Sequence, residues 1–448
     1  MKIPENIISA INTLGGTIYE VGGAVRDSFL GISDHKDHDY LVTGIPIGDL
    51  ISLLKPFGKV DQVGKSFGVI KLTVGKDTYD IALPRVEKST GQRHRDFDVQ
   101  TDHTLPVETD LARRDFTINA IAVKLLPGGE SEIIDPFNGQ QAIAEKRISV
   151  VFPEAFQEDP LRMMRAVQFA ARFNFRVDDK THQLMIQNAH LISHVSPERI
   201  FMEIEKLMTR SEFPADAFRL MHSTGLLYIM FCELANTVGV EQPNKWHELD
   251  VFNHIMAALN SVPSTKLHVR LAALFHDIGK PGTYTNDNGE VHFYGHDIEG
   301  ARIAEVVLNR WKAPNDLIHK VVTLVRNHMF TAGFDFTPKA TRRLIAKVGE
   351  NLIYDLIDLR IGDRIASGKP LLAMGKIGNL KRLVEAELAD PAFSIRNLNI
   401  NGNQIMQELD IPPGPKVGEI LQALLEQVMD DPSLNATNTL LNIAQNLV

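Results

Sequence analysis

Cysteine is almost missing from this chain: one residue, Cys232, in 448. A single thiol cannot build a disulfide framework, which excludes a stapled secreted scaffold and fits a reducing cytoplasm. Cys232 itself reads as a small buried side chain. Long apolar runs are also missing, and none approaches the roughly 20 residues needed to span a bilayer. The opening Met1-Lys2-Ile3-Pro4-Glu5-Asn6 lacks a secretory signal pattern. The expected setting is therefore cytoplasmic, with no membrane partner. Basic excess is absent too: the formal charge is -9. That excludes a protein that coats nucleic acid through a generally positive surface, but it leaves room for a local basic groove. There is no low-complexity tract and no repeat of fixed period.

What is present is 44% hydrophobic residues, enough to bury several cores, and a length that suggests about three domains. The pattern predicts an α+β protein. Residues 1–125 read as a head of mixed β-sheet and helices, and from about Ala142 helical periodicity takes over. Within the head, Gly68–Val74 and Tyr79–Leu83 read as two strands around a turn at Gly75-Lys76-Asp77. Helices are expected over Glu154–Phe173, over Pro197–Met208 with Ser196 as N-cap, and over Val417–Met429. An all-α neck and body (126–245), a histidine-rich block (246–367) and a helical tail (368–448) complete the expected order.

Asp37 and Asp39 follow Gly23 by fourteen and sixteen residues, in Val21-Gly22-Gly23-Ala24-Val25-Arg26-Asp27 … Lys36-Asp37-His38-Asp39. In a strand, residues i and i+2 share a face. Two carboxylates about 4 Å apart repel by roughly 4 kcal/mol at an effective dielectric near 20. A divalent cation with oxygen ligands reverses that penalty. The Gly-Gly step lets backbone N–H groups approach phosphate oxygens where a helix begins. The pairing points to a metal-bound nucleoside triphosphate. Asp80, in a neighbouring strand, is either a third carboxylate of a two-metal arrangement or an exposed strand residue.

Arg113-Arg114-Asp115-Phe116-Thr117-Ile118-Asn119-Ala120 offers planar donors for phosphate and polar groups for ribose; its bland alternative is a helix cap with solvated charges. In Glu158-Asp159-Pro160-Leu161-Arg162-Met163-Met164-Arg165, Arg162, Arg165 and Arg172 fall within about 80° on a helical wheel. Asp159 and Arg162, three apart, are expected side by side. A carboxylate accepts from an exocyclic amino group and a guanidinium donates to a ring nitrogen or carbonyl, so such a pair could read a base edge. Alone, it would be an intrahelical ion pair worth a few tenths of a kcal/mol. His35, His38 and His94 read as surface residues.

These segments, with Asp135-Pro136-Phe137-x-Gly139 and Ser196-Pro197-Glu198-Arg199-Ile200, occur in an order that closely resembles the bacterial class II tRNA nucleotidyltransferases and poly(A) polymerases, over about residues 15–235. The resemblance implies that Asp37 and Asp39 hold Mg2+ and are catalytic; Asp80 joins them as a candidate from its strand position alone. It implies that Gly23, Arg26 and Arg114 bind the triphosphate and that Asp159, Arg162 and Arg165 select cytosine or adenine; Asp115 and Asn119 are nucleotide-binding candidates from their polar groups alone. Many relatives carry Asp-Leu after the Asp-Pro-x-x-Gly turn; here Gly139-Gln140-Gln141-Ala142-Ile143 stands instead, a departure at the hinge between head and neck.

The second constellation centres on Phe275-His276-Asp277-Ile278-Gly279-Lys280, preceded by His254 and followed by His296, His328 and Asp363. Mixed imidazole and carboxylate ligands suit borderline and hard divalent ions. This order resembles the HD phosphohydrolase superfamily. The resemblance implies a second site holding a divalent transition metal on His254, His276, Asp277, His296, His328 and Asp363, acting on 2′,3′-cyclic phosphates, 2′-nucleotides or phosphate ends.

The implied function is template-independent addition of CCA to the 3′ end of tRNA from CTP and ATP. The partners implied are the tRNA acceptor arm and the two nucleotides, with no DNA expected. An enzyme adding only the terminal A, or a poly(A) polymerase, is the near alternative. The long polar stretch Arg85–His103 leans away from CC-only relatives, which tend to be shorter there. A hydrolase of a signalling nucleotide with a regulatory head is the alternative from a different class.

Overall fold

The structure, a computed structural model, describes residues 2–32, 38–63, 69–89, 97–242, 249–287, 290–330, 336–368 and 370–447. Asp37, His35 and His94 lie outside the described residues. The α+β expectation holds: among the described residues, apart from two short strand pairs, the strands lie in the first 134 residues and helices dominate the rest. The chain divides into two compact units, Met1–Cys232 and Glu233–Val448.

The first unit is built on a seven-stranded sheet. Its strands are β1 (Thr17–Val21), β2 (Asp39–Thr43), β3 (Lys59–Val63), β4 (Val69–Val74), β5 (Asp77–Ala82), β8 (Ala122–Leu125) and β9 (Ser131–Ile134). They run in the order β3-β4-β5-β2-β1-β8-β9. A separate antiparallel pair, β6 (Arg85–Ser89) and β7 (Phe97–Thr101), lies within the long polar stretch. The predicted hairpin is β4 and β5, paired from Val69↔Ala82 to Val74↔Asp77. The last strand of the sheet ends at Ile134, beyond residue 125.

Strand alternation fixes which side chains can do chemistry. Tyr40 and Val42 of β2, with Tyr79 and Ile81 of β5, enter one core beside Ile7, Ile11, Leu50 and Leu54. Burying each such side chain stabilises by about 1.5–3 kcal/mol, so the register is strongly held. Leu41 and Ala82 therefore face the other side, against Val107 and Leu111. Asp39 and Asp80 share that second face, because they sit two residues before Leu41 and Ala82.

Three local expectations fail. Residues 154–173 are not one helix: Ala155–Glu158 and Leu161–Phe173 are separate, and Asp159 between them is extended at φ -136°, ψ 100°. Proline at 160 disfavours the helical conformation of the residue before it, and that steric rule outweighs the apolar periodicity. Cys232 is exposed, not buried; in its short helix Leu234 and Ala235 turn inward instead. His38 is half-buried rather than a plain surface residue: its Nδ1 meets Glu20 Oε1 and its ring stacks on Tyr40.

The second unit is helical. Val251–Ser261, Leu267–Phe275, His296–Arg310, Asn315–Asn327 and Ile353–Ala366 supply its histidine-rich part. The tail helix runs over Pro415–Asp430, two residues earlier than expected because Pro415 occupies its first turn. Arg342 anchors the tail, donating from Nε to the Met429 carbonyl at 2.7 Å and from Nη1 to Glu387 Oε1 at 2.9 Å.

Candidate functional site

In the head, parallel pairing sets Asp39 of β2 directly against Asp80 of β5. Asp80 Oδ1 lies 3.6 Å from Lys71 Nζ, too far for a hydrogen bond. Gly22, at φ +80°, turns the chain out of β1 into the Gly23–Phe29 helix. A Cβ built on it would sit 3.2 Å from Asp39 Oδ2 and 3.3 Å from Arg114 Nη1. Glycine is thus required twice at this position, for the backbone conformation and for the room. Gly22, Asp39, Asp80 and Arg114 converge, and their carboxylates give the hard oxygen donors that suit a hard divalent cation.

Arg114 is held from behind. Its Nη1 donates to the Asn119 carbonyl at 3.2 Å and its Nη2 to Asp110 Oδ2 at 3.1 Å. Arg113 donates to the other oxygen of Asp110, at 2.6 Å from Nη2. Burial would raise the Asp110 carboxyl, but Arg114 and Arg113 outweigh it and hold the group below the usual carboxylate range. Asp110 has no place in the expected site. Its spacing, three and four residues before the two arginines on one helical turn, was the available signal.

Arg26, Asp115 and Asn119 are buried and paired with one another. Arg26 Nη1 donates to Asn119 Oδ1 at 2.7 Å, and its guanidinium lies over the rings of Phe169 and Phe173. Asn119 Nδ2 donates to Asp115 Oδ1 at 2.9 Å. Arg165 Nε donates to Asp115 Oδ2 at 2.7 Å. Arg26 also bonds Asp27 Oδ1 at 2.7 Å, and Arg172 approaches Asp27 Oδ2 at 3.8 Å. One chain of polar contacts therefore runs from Arg165 to Arg172 through the head. It ties the Leu161–Phe173 helix to the glycine turn, which explains why Arg165 and Arg172 share a face. Asp115 stays below the usual carboxylate range; burial opposes this, and Arg165 with Asn119 overcomes it. Gly23 opens the same Gly23–Phe29 helix.

Asp159 and Arg162 do not form the expected ion pair. Asp159 Oδ1 accepts from the Leu161 backbone at 3.2 Å, and Oδ2 accepts from Arg199 Nη2 at 2.9 Å. Arg162 instead donates to the Arg113 carbonyl at 3.0 Å, and to the Ala155 carbonyl and Glu158 Oε2 at 3.2 and 3.3 Å. The break at Pro160 removes the helical spacing that would have joined the two. Arg199, part of the Ser-Pro-Glu-Arg segment, is the partner the sequence did not reveal.

In the second unit all six expected ligands meet. His254 and Asp363 come from neighbouring helices that approach at Gly362, where a side chain would strike Val262 and the Ala258 carbonyl. His276 caps the Leu267–Phe275 helix, His296 opens its own, and His328 caps Asn315–Asn327. Two groups of three have ligand atoms within 4.8 Å of one another: His254, His276 and Asp363; and Asp277, His296 and His328. Asp277 faces both. Its Oδ2 lies 3.4 Å from Nε2 of His254 and of His276, and its Oδ1 lies 3.4 Å from His296 Nε2 and 3.7 Å from His328 Nε2.

The donor chemistry fits a metal. Nδ1 of His276, His296 and His328 meets the backbone carbonyls of Ala273, Phe293 and Val325 at 2.8, 2.7 and 2.7 Å. A carbonyl only accepts, so Nδ1 carries the proton and the Nε2 lone pair faces the centre. Lys280, 5% exposed, donates to Asp277 Oδ2 at 2.6 Å, and Arg360 to Asp363 Oδ2 at 2.6 Å. Burial opposes ionisation of Asp277, but the Lys280 ammonium at 2.6 Å holds it well below the usual carboxylate range. Asp277, Lys280, His296, His328, Arg360 and Asp363 line a cavity of about 430 Å³.

This head, with aligned carboxylate strands, a glycine turn and buttressed arginines, is that of a nucleotidyltransferase of the poly(A) polymerase class. The family model "Poly A polymerase head domain" matches residues 18–149, and "Probable RNA and SrmB- binding site of polymerase A" matches 174–237. A model for tRNA nucleotidyltransferase domain 2 matches 298–444. The Multifunctional CCA protein of Nitrosococcus oceani is 36% identical over 317 residues, 69% of this chain and 74% of that one. That of Shewanella denitrificans is 36% identical over 307 residues, 67% of this chain and 70% of that one. The Bacillus stearothermophilus CCA-adding enzyme in complex with CTP superposes with a TM-score of 0.73 at 26% identity, covering 100% of this chain and 98% of that one. The Thermotoga maritima CCA-adding enzyme complexed with tRNA shares the fold, with a TM-score of 0.61 at 21% identity over 99% of this chain and 94% of that one. The chain belongs to the bacterial CCA-adding tRNA nucleotidyltransferase family.

Proposed function

We propose that this protein adds CCA to the 3′ end of tRNA, using CTP and ATP in the cytoplasm. The convergence of Asp39, Asp80, Gly22 and Arg114 on one face of the sheet carries the reading. The tRNA 3′-hydroxyl attacks the α-phosphorus, the bond to the bridging oxygen breaks, and pyrophosphate leaves. Asp37 and Asp39, with Asp80 set against Asp39, would hold Mg2+, which would neutralise charge on the phosphates. Arg114, fixed by Asp110, meets the triphosphate at the Gly22-Gly23 turn. Arg26, Asp115 and Asn119 are positioning residues: their polar groups hold the turn and the Leu161–Phe173 helix in register. Asp159, steered by Arg199, and Arg162, steered by the Arg113 carbonyl, read the amino-bearing edge of cytosine or adenine, and Arg165 locks their helix to the head. In this reading the head carries the nucleotide chemistry, its sheet running on to Ile134 rather than ending at residue 125, and neck and tail contact the RNA backbone. Asp39→Ala should lower nucleotide incorporation at least about 100-fold while the protein stays folded. Near-normal incorporation by a folded variant overturns the assignment.

We further propose a metal-dependent phosphohydrolase in the histidine-rich block at about 246–367. Asp277 set between two histidine-bearing groups supports it. His254, His276, Asp277, His296, His328 and Asp363 would hold a divalent transition metal, which would supply Lewis-acid activation of water. Lys280 and Arg360 orient the carboxylates and put positive charge on the cavity wall for a phosphate. The substrates are 2′,3′-cyclic phosphates, 2′-nucleotides or phosphate ends.

A further inference from the structure

One end of the histidine-rich cavity is not explained by phosphate chemistry. Lys280, Arg360 and Arg364 lie on its wall, and so does Tyr294. Tyr294 is 71% exposed, a large aromatic face that contributes nothing to the core. It is not loose. Its ring stacks on His292, with centroids 5.1 Å apart and planes 18° apart. Phe293, between them, packs edge-on against Tyr284 and lies 5.4 Å from Lys280 Nζ. The Phe293 carbonyl accepts from Nδ1 of His296, so the segment that carries Tyr294 also orients a ligand of the centre. Tyr294 lies two positions before His296, so their Cα atoms stand at most about 7 Å apart. A flat, backed, solvent-facing ring therefore stands within reach of a nucleotide whose phosphate sits against Lys280 and Arg360.

We propose that Tyr294, supported by His292, is a stacking platform for the base of a nucleoside phosphate bound in this cavity. The inference rests on the hydrolase reading for its choice of ligand: a ribonucleotide with phosphate at its 2′ or 3′ position, as at an RNA 3′ end. Every base has a π-face, so the platform gives affinity for nucleosides without choosing among bases. Non-nucleoside phosphate esters reach the same cationic wall and gain nothing from the ring.

The test compares wild type, Tyr294→Ala and Tyr294→Phe, loaded with the activating transition metal. Two substrates are used: 2′,3′-cyclic AMP and glycerol 1,2-cyclic phosphate, which has no base. Tyr294→Ala should raise KM for cyclic AMP by about 5- to 150-fold, the range of base stacking on an aromatic ring. It should leave kcat, and KM for the glycerol compound, within about twofold of wild type. Tyr294→Phe should restore the cyclic AMP value. Equal losses on both substrates, or no change on either, overturn the platform. Calorimetric binding of 2′-AMP, with CTP present to fill the head, gives a readout apart from turnover. If neither substrate is hydrolysed, the hydrolase reading fails, and 2′-AMP affinity decides alone. Weaker binding by Tyr294→Ala supports the platform, and equal binding overturns it.

Discussion

Asp159 is held by Arg199, forty residues away in sequence, through a 2.9 Å bond from Nη2 to Oδ2. Arg162, only three residues on, looks elsewhere, to the Arg113 carbonyl. The Asp159 carboxylate is therefore aimed by the Pro197–Arg210 helix, and the Arg162 guanidinium by the Arg-Arg-Asp segment.

Arg199→Ala should consequently loosen base choice. Asp159 would keep its bond from the Leu161 backbone but lose its lateral anchor. Discrimination for CTP and ATP over UTP and GTP should fall by about 5- to 150-fold, the value of one or so buried hydrogen bonds at 1–3 kcal/mol. Triphosphate affinity should change less. Single-nucleotide incorporation with each of the four triphosphates checks this; unchanged selectivity means Arg199 only supports the fold.

Asp115→Asn should destabilise the first unit. Breaking a buried ion pair costs about 3–5 kcal/mol. Arg165 is a third exposed and can rehydrate, so the expected loss is nearer 2–3 kcal/mol. The folded carboxyl lies below its ordinary value, so its contribution is fully present above about pH 4 and fades as pH falls through the folded value. Urea melts of both proteins should differ most at neutral pH and converge in acid. A gap that widens in acid contradicts the assignment.

His276→Ala or Asp277→Ala should remove phosphohydrolase activity and leave CCA addition within a few-fold of wild type. The reason is placement: the six ligands belong to the Glu233–Val448 unit, the transferase carboxylates to Met1–Cys232. Parallel assays on cyclic phosphate and on tRNA lacking CCA read both. Loss of CCA addition as severe as that of Asp39→Ala would show that the two sites act as one.

Binding of tRNA should depend steeply on salt despite the net charge of -9. A groove of scattered Lys and Arg that tracks the phosphate backbone gives at least about a tenfold loss of affinity between 50 and 200 mM salt. Different tRNAs lacking CCA should bind alike. Filter binding across salt concentrations measures it, and a flat response contradicts a phosphate-tracking groove.

Much of this was legible in the sequence wherever local rules and the final contacts agree. Alternation of Tyr40, Val42, Tyr79 and Ile81 forces Asp39 and Asp80 onto one face. The six imidazole and carboxylate side chains that meet in the second unit were picked out by their order along the chain, through its resemblance to the HD superfamily. What was hidden depends on pairing across long separations. Arg199 meets Asp159, Arg165 meets Asp115, and Gly362 admits a neighbouring helix, none of which periodicity encodes. The helix over 154–173 failed for a different reason: a steric rule at Pro160 outweighed an apolar pattern. Cys232 failed because Leu234 and Ala235 took the inward face of its short helix.

The most direct measurement is the length and composition of the products formed on tRNA lacking CCA. With CTP alone the account predicts addition of two C residues and a stop. With ATP alone it predicts no efficient addition. With both it predicts CCA and no further growth, at a rate that Asp39→Ala reduces at least about 100-fold. A long A tail, addition of A alone onto ends lacking CC, or an Asp39→Ala variant that extends tRNA as wild type does would contradict it.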